Sequence, residues 1–278
     1  MANDQKTGRC MDRQHPTRFV IRDWSFVISS RGAKLWGMKY FRFGLAAAAG
    51  CFLVSCAVPG GGTGGRSEYG HRAGPHGFRT VILDAGHGGR DSGATSRWTG
   101  QMEKSAALDT VQRIRQELGG QFRVVLMRDG DYFIDLDERV RRANGYPDAV
   151  LISMHYNHGG PSTRGTETFY WRMDSYSLAK RIQREIAAVS SSEQNNRGLV
   201  RRRIRLTRNP QIPCVLVEGG YMSHGSESRM IADASYRQRL ARAIAKAVRD
   251  QARLGDAGMG PLPPPVNAPM SRPTDAPE

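Results

Sequence analysis

The chain has 278 residues, 41 Lys/Arg against 26 Asp/Glu and a formal charge of +15. That length allows one large domain or two small ones, and the composition of both ends removes enough from the folded count to leave one. Of four cysteines, Cys10, Cys51 and Cys56 lie before residue 57, so Cys214 is alone in the folded part and an internal disulfide there is excluded.

From the N-terminus, the first clear element is the apolar run FGLAAAAGCFLVS at residues 43–55, preceded by Lys39 and Arg42. It is too short to span a bilayer as a stable helix but fits the core of an export signal, for which Met38 is a plausible alternative start. The LVSC that closes it resembles the lipobox of bacterial lipoproteins. That resemblance implies that Cys56 is acylated and becomes the mature N-terminus, making residues 1–56 an N-terminal extension and lipoprotein signal peptide. Without it the remainder still carries +9. On an exported chain, a basic surface favours anionic lipid or an acidic wall polymer as partner, and not nucleic acid. Residues 57–77, rich in Gly, Ser and Pro, read as a flexible tether, and residues 255–278 as a disordered Pro-rich tail.

Residues 78–254 remain for the globular part. Short β-rich runs occur at RTVILDA, FRVVLMR, DAVLISMHY, TETFYWR and IPCVLVEGG. Between them run helical periods: Ala107, Val111, Ile114 and Leu118, then Leu178, Ile182 and Ile186, then Leu240, Ile244 and Val248. The alternation predicts a single α/β domain with a twisted, mostly parallel or mixed central sheet. Because the strands are continuously apolar, helices are expected on both faces. Cys214, inside the apolar CVLV, is expected to be a buried small hydrophobe and not a nucleophile.

In such sheets ligands sit at strand ends. His87 follows the first strand in DAGHGG, His155 lies near the end of the third in LISMHYN, and Glu218 near the end of the last in VLVEGG. Glu103 opens the first long helix. Two imidazoles and a carboxylate around one point make a three-ligand zinc site with an open position, and a further carboxylate supplies proton handling. Each residue alone has a plainer reading: a strand-end histidine, or a helix-opening glutamate facing the helix dipole.

The set, in this order and with the words around it, resembles the zinc-dependent N-acetylmuramoyl-L-alanine amidases. Their pattern runs from a GHGG turn through an EK helix start and an S-x-H-x-N strand end to a terminal VE-G strand, and covers about residues 79–251, including LDERVRRAN, RGTETFYW and NRGLV. The resemblance implies that His87, Glu103 and His155 bind one Zn²⁺ and that Glu218 is the catalytic carboxylate. It implies peptidoglycan as substrate, cut between N-acetylmuramic acid and the L-alanine of the stem peptide. The location implied is the cell envelope, with a lipid anchor and the catalytic domain in the periplasm. Ala57 carries no acidic retention signal, which leans the anchor to the outer membrane. Two other readings stay open: a lipoprotein that grips wall without cutting it, and a zinc hydrolase for another amide. The oligomeric state is left unspecified.

Other residues carry paired expectations. Asp84 either orients His87 or caps the turn, while Gly86, Gly88 and Gly89 let the chain turn and a glycan approach. His158 is expected at the surface. Arg139 and Asn144 are expected in a buried ion pair or helix-end hydrogen bond, and Glu167 either near the metal or paired with a cation. The run RRRIR, residues 201–205, is either a solvated face or a contact for stem-peptide carboxylates. The family's departures here, Ala85 in the turn and GGYMSH after Glu218, touch no proposed ligand. Some exported members carry a long inhibitory insert after the second histidine. Here only NHGGPSTR separates Asn157 from Gly165, which predicts an open, constitutively competent site.

Overall fold

A computed structural model describes residues 73–189 and 195–263. The expected signal peptide, Cys56, residues 57–72 of the tether and the tail from 264 onward lie outside the described residues. No described helix is long and apolar enough to cross a membrane.

Six strands form one mixed sheet in the order β2-β1-β3-β6-β4-β5. They are β1 (Thr80–Ala85), β2 (Arg123–Leu126), β3 (Ala149–Asn157), β4 (Thr166–Tyr170), β5 (Asn196–Arg201) and β6 (Cys214–Tyr221). All neighbours pair in parallel except β4 with β6. The five strands expected from apolar runs are present. β5 is additional: NRGLVR lacks an apolar run, and it lies at the sheet edge where only one neighbour must be satisfied.

Helices α1 (Glu103–Leu118), α2 (Leu136–Asn144), α3 (Tyr176–Ala187), α4 (Arg205–Arg208), α5 (Gly225–Ala232) and α6 (Ala234–Leu254) complete the domain. Strand residues alternate between two cores, as a period of two requires. Val81, Leu83, Val150, Ile152, Val215 and Val217 pack with the apolar stripes of α1, α3 and α6. Ile82, Leu151 and Cys214 pack the opposite way, with Ala143 of α2 and Leu206 of α4. The expectation of helices on both faces therefore holds. By the same alternation, Asp84, Ser153, His155, Leu216 and Glu218 share the face of α2 and α4.

Some described residues assigned to the tether and the tail make contacts with the domain. Residues 73–77, assigned to the tether, are tied to the end of α6 by Gly74 N–H to the Asp256 carboxylate and Gly77 N–H to Ala252 O. The first tail residues also pack: Arg181 donates to the carbonyls of Gly255 and Ala257, and Met259 is buried. A buried guanidinium with carbonyl partners holds this segment where its composition offers no core.

Candidate active site

The chain leaves β1 through Gly86–Gly89, and in this turn His87 takes the left-handed conformation, φ +62. That conformation is uncommon outside glycine and costs of order 1–3 kcal/mol, so surrounding structure must impose it. Two buried arginines do so. Arg128, just beyond β2, donates to the carbonyls of Ala85, Gly86, Gly130 and Lys104. Arg139 of α2 donates to the carbonyls of Ala85, His87 and Ile134 and pairs with Asp84. Asp84 also accepts from Ser153 Oγ at 2.5 Å.

Asp84 therefore neither orients His87 nor caps the turn through its own side chain; it anchors Arg139, which grips the turn. The buried ion pair expected of Arg139 is present. Orientation of His87 falls instead to Asp91, whose Oδ2 lies 2.8 Å from Nδ1. Asp91 and Arg128 were not singled out from the sequence. The i, i+4 spacing of His87 and Asp91 across GHGGRD was the available signal for the first; nothing local marks the second.

The glycines are required by close packing. A Cβ on Gly86 would stand 2.3–2.6 Å from three atoms of the His155 ring. On Gly88 and Gly89 it would meet the backbone of Tyr132 and Phe133 at 2.3 and 2.6 Å. Gly88 and Gly89 also take positive φ, +129 and +58, so the chain turns here as expected, with the second imidazole and the 132–133 loop packed against it.

His87 Nε2 and His155 Nδ1 each lie 3.0 Å from Glu103 Oε1. The two rings meet edge to face with centroids 4.9 Å apart. Glu103 is brought here because α1 begins at residue 103, after a loop pinned by a Thr95–Met102 bridge. Its carboxylate also accepts from the N–H of Ala94 at 2.9 Å and of Tyr156 at 3.1 Å. Burial alone would raise the Glu103 pKa, but the hydrogen bonds and charges of His155 and His87 reverse this and hold it well below the usual carboxylate range. Burial likewise opposes charge on His87, and Glu103 and Asp91 outweigh it, raising that pKa. Among the described residues, His87, Glu103 and His155 offer ligand atoms within 4.8 Å of one another, a donor set that can hold a metal ion.

Glu218 is the Cα partner of His155 across β3 and β6 and of Glu167 across β4 and β6. It is buried, and its Oε2 accepts no hydrogen bond. Burial first, then the charges of Glu103 and Glu167, push its pKa well above the ordinary value. Of its two expectations Glu167 meets the cation pairing: its Oε1 lies 3.4 Å from Arg197 while accepting from Asn157 at 2.8 Å and from Tyr221, and its Cα is the cross-strand partner of Glu218.

His158 is exposed and apart from the cluster. Asn144 ends α2, where its side chain accepts the Gln211 N–H at 2.7 Å. Cys214 is buried, with its thiol pKa raised by that burial. In the RRRIR run only Arg202 is exposed; the rest are half-buried, so a simple solvated face is not what forms.

A family model described as N-acetylmuramoyl-L-alanine amidase matches residues 81–250. The chain belongs to this family. Its reaction is therefore hydrolysis of the amide between N-acetylmuramic acid and L-alanine in peptidoglycan, which puts its work at the cell envelope. It is 33% identical over 175 residues to the Bacillus subtilis protein YqiI, covering 61% of this chain and 83% of that one. It is 32% identical to the B. subtilis N-acetylmuramoyl-L-alanine amidase LytC, covering 59% of this chain but only 34% of LytC. The crystal structure of an N-acetylmuramoyl-L-alanine amidase from Clostridium difficile superposes with a TM-score of 0.60 at 30% identity, over 63% of this chain and 97% of that one. The amidase fold expected from the sequence is thus the fold observed.

Proposed function

We propose that this amidase works with one zinc ion held by His87, Glu103 and His155, that Glu218 carries the proton, and that a lipid on Cys56 tethers the domain in the envelope. The observation that carries the reading is the pairing of a preformed His-Glu-His donor set with a buried carboxylate whose Oε2 is unsatisfied. A buried acceptor without a partner is costly unless something at the site completes it. Two imidazoles and one carboxylate are the donor types of hydrolytic zinc sites that leave one position open.

Zinc bound there would supply Lewis-acid polarisation of the scissile carbonyl and acidify water. The protein's own part divides among named residues. Asp91 fixes the His87 ring by occupying Nδ1, leaving Nε2 directed at Glu103. Glu103 stays ionised because the imidazoles around it favour the anion. Glu218, with its raised proton affinity, takes a proton from the attacking water and returns it to the alanine nitrogen as the C–N bond breaks. The products balance as a lactyl carboxylic acid on the glycan and a free amine at the head of the stem peptide.

The test incubates the protein with purified peptidoglycan, with and without a zinc chelator, and weighs released products by mass spectrometry. Stem peptides beginning at L-alanine, lost on chelation and restored by zinc, are expected. Glu218→Gln should retain zinc and lose hydrolysis; loss of zinc as well would make Glu218 a ligand. Undigested glycan with the protein still pelleting on wall would overturn the reading in favour of a wall-binding lipoprotein. For the anchor, Cys56→Ser should move the protein from the membrane fraction to the soluble envelope fraction.

A further inference from the structure

Four large hydrophobic side chains are exposed among the described residues: Trp98, Met102, Tyr132 and Leu254. The first three stand on two loops that adjoin the His87 turn, residues 94–102 and 129–134. Exposed apolar groups gathered around one place mark a surface that a ligand covers. Trp98 is the largest of them and is 46% exposed. Its loop is fixed: the buried Ser96 accepts through Oγ from the N–H groups of Trp98 and Thr99, and the Thr95–Met102 bridge closes the base.

The indole is backed by the start of α5, where a Cβ on Gly225 would come within 3.3 Å of it, and its Nε1 reaches the Ser223 carbonyl at 3.5 Å. Arg97 and Arg229 lie 4.6 and 5.6 Å from the ring centroid. Such contacts are weak at an exposed site, so a ligand can take the ring face from them. Beside the indole opens a pocket of about 170 Å³ with Thr95, Arg97, His158 and Ser223 in its lining. Ser223 Oγ accepts from the Gly159 N–H and still has its own proton to donate. Thr95 follows Ala94, whose N–H is bonded to Glu103, so this pocket is one residue removed from the proposed zinc site. It shares no lining residue with the cleft beside the histidines, which is walled by Phe133, Ile134, Leu206 and Leu216 and matches a sugar poorly.

We infer that Trp98 is a platform for the glycan strand, with one pyranose ring stacked on the indole and an acetamido arm seated in the adjoining polar pocket. The inference rests on the amidase reading above. An indole face matches the C–H face of a sugar ring, and the neighbouring polar groups meet the substituents that the ring cannot satisfy. At about 170 Å³ the pocket is smaller than the ~300 Å³ of ordinary small-molecule sites, which suits one appended group and not a whole disaccharide. A loop that dipped into lipid would surround its tryptophan with apolar residues, whereas Arg97, Thr99 and Gln101 flank this one.

The test measures kcat/KM of the zinc-loaded full chain on two soluble substrates with the same stem peptide, one on a single N-acetylmuramic acid and one on a four-sugar glycan of the same polymer. The longer glycan should be better by about tenfold, mostly through KM, because its remote sugars add binding that does not change during the reaction. In Trp98→Ala this ratio should collapse to within about twofold, and Trp98→Phe should restore part of it. Circular dichroism and zinc content matched to the unsubstituted protein exclude misfolding. Where the alanine variant fails that match, Trp98→Gln, which keeps a donor for the Ser223 carbonyl, is read by the same ratio. A ratio near one in the unsubstituted protein, or a ratio unchanged by the substitution, overturns the inference. If the ratio is unchanged and Trp98→Ala weakens adsorption of the Cys56→Ser protein to phosphatidylglycerol vesicles, the loop belongs to a membrane surface instead. Absence of cleavage of both substrates would strike the amidase reading. Calorimetry with the peptide-free four-sugar glycan then decides the platform: binding lost in Trp98→Ala upholds it, and binding absent or unchanged overturns it.

Discussion

Gly86→Ala is the sharpest single perturbation of the proposed metal site, because it adds one methyl group and alters no ligand. That carbon would stand 2.3, 2.5 and 2.6 Å from Cε1, Nε2 and Nδ1 of His155. Comfortable contacts lie near 3.5–4.0 Å, so the overlap is roughly 1 Å at each ring atom. Gly86 is not among the positive-φ glycines, so the effect is side-chain crowding and not backbone strain. His155 sits on a central strand bonded on both sides, and its ring has to give way. Overpacking of this kind costs about 1–3 kcal/mol, which in a domain of this size lowers Tm by roughly 2–4 °C per kcal/mol. A metal site tolerates displacements of only about 0.2 Å, so zinc affinity should fall by more than tenfold. Competition with a chromophoric chelator measures the affinity, and thermal unfolding with and without zinc measures both terms. A Gly86→Ala protein that binds zinc within about twofold of the unsubstituted protein would show that His155 is not held as a ligand by this contact.

Removing the partner of His87 in Asp91→Ala should weaken zinc binding about 10–100-fold while leaving the metal-free Tm nearly unchanged, read by the same competition assay. Arg139→Met strands Asp84 in the core and should cost about 3–5 kcal/mol in urea unfolding, with Asp84→Asn added to it recovering part of the loss. The raised pKa of Glu218 has a signed consequence for the metal-free protein. Stability fully present below the ordinary carboxylate pKa is lost as pH rises through the folded-state value. Glu218→Gln should therefore raise Tm at pH about 8 relative to its effect at pH about 3.5, and an equal effect at both would contradict the raised pKa.

The four residues of the proposed chemistry were legible because each sits where an apolar period stops: His87, His155 and Glu218 toward strand ends, Glu103 at a helix start. What supports them was not. Arg128 follows an ordinary strand, and it acquires its role only because parallel pairing sets Leu126 beside Leu83 and so brings residue 128 to the turn after β1. Asp84 was visible as a carboxylate near His87, but alternation sends its side chain to Arg139 and Ser153, a fact of register and not of nearness in sequence. β5 escaped for a related reason, since an edge strand whose apolar residues are only Leu199 and Val200 carries a weak hydrophobic signature and is defined by its neighbour β4.

The double arginine grip on the first turn bears on the proposed metal site. In small zinc domains the ion is the organiser, and stripping it melts the chain. Here permanent guanidinium charges and a buried aspartate hold the His87 loop from the carbonyl side, independent of anything bound between the imidazoles. If the proposed zinc site is right, removing the ion should lower Tm without melting the domain, and an enzyme emptied in a zinc-poor envelope should persist as a folded, dormant form.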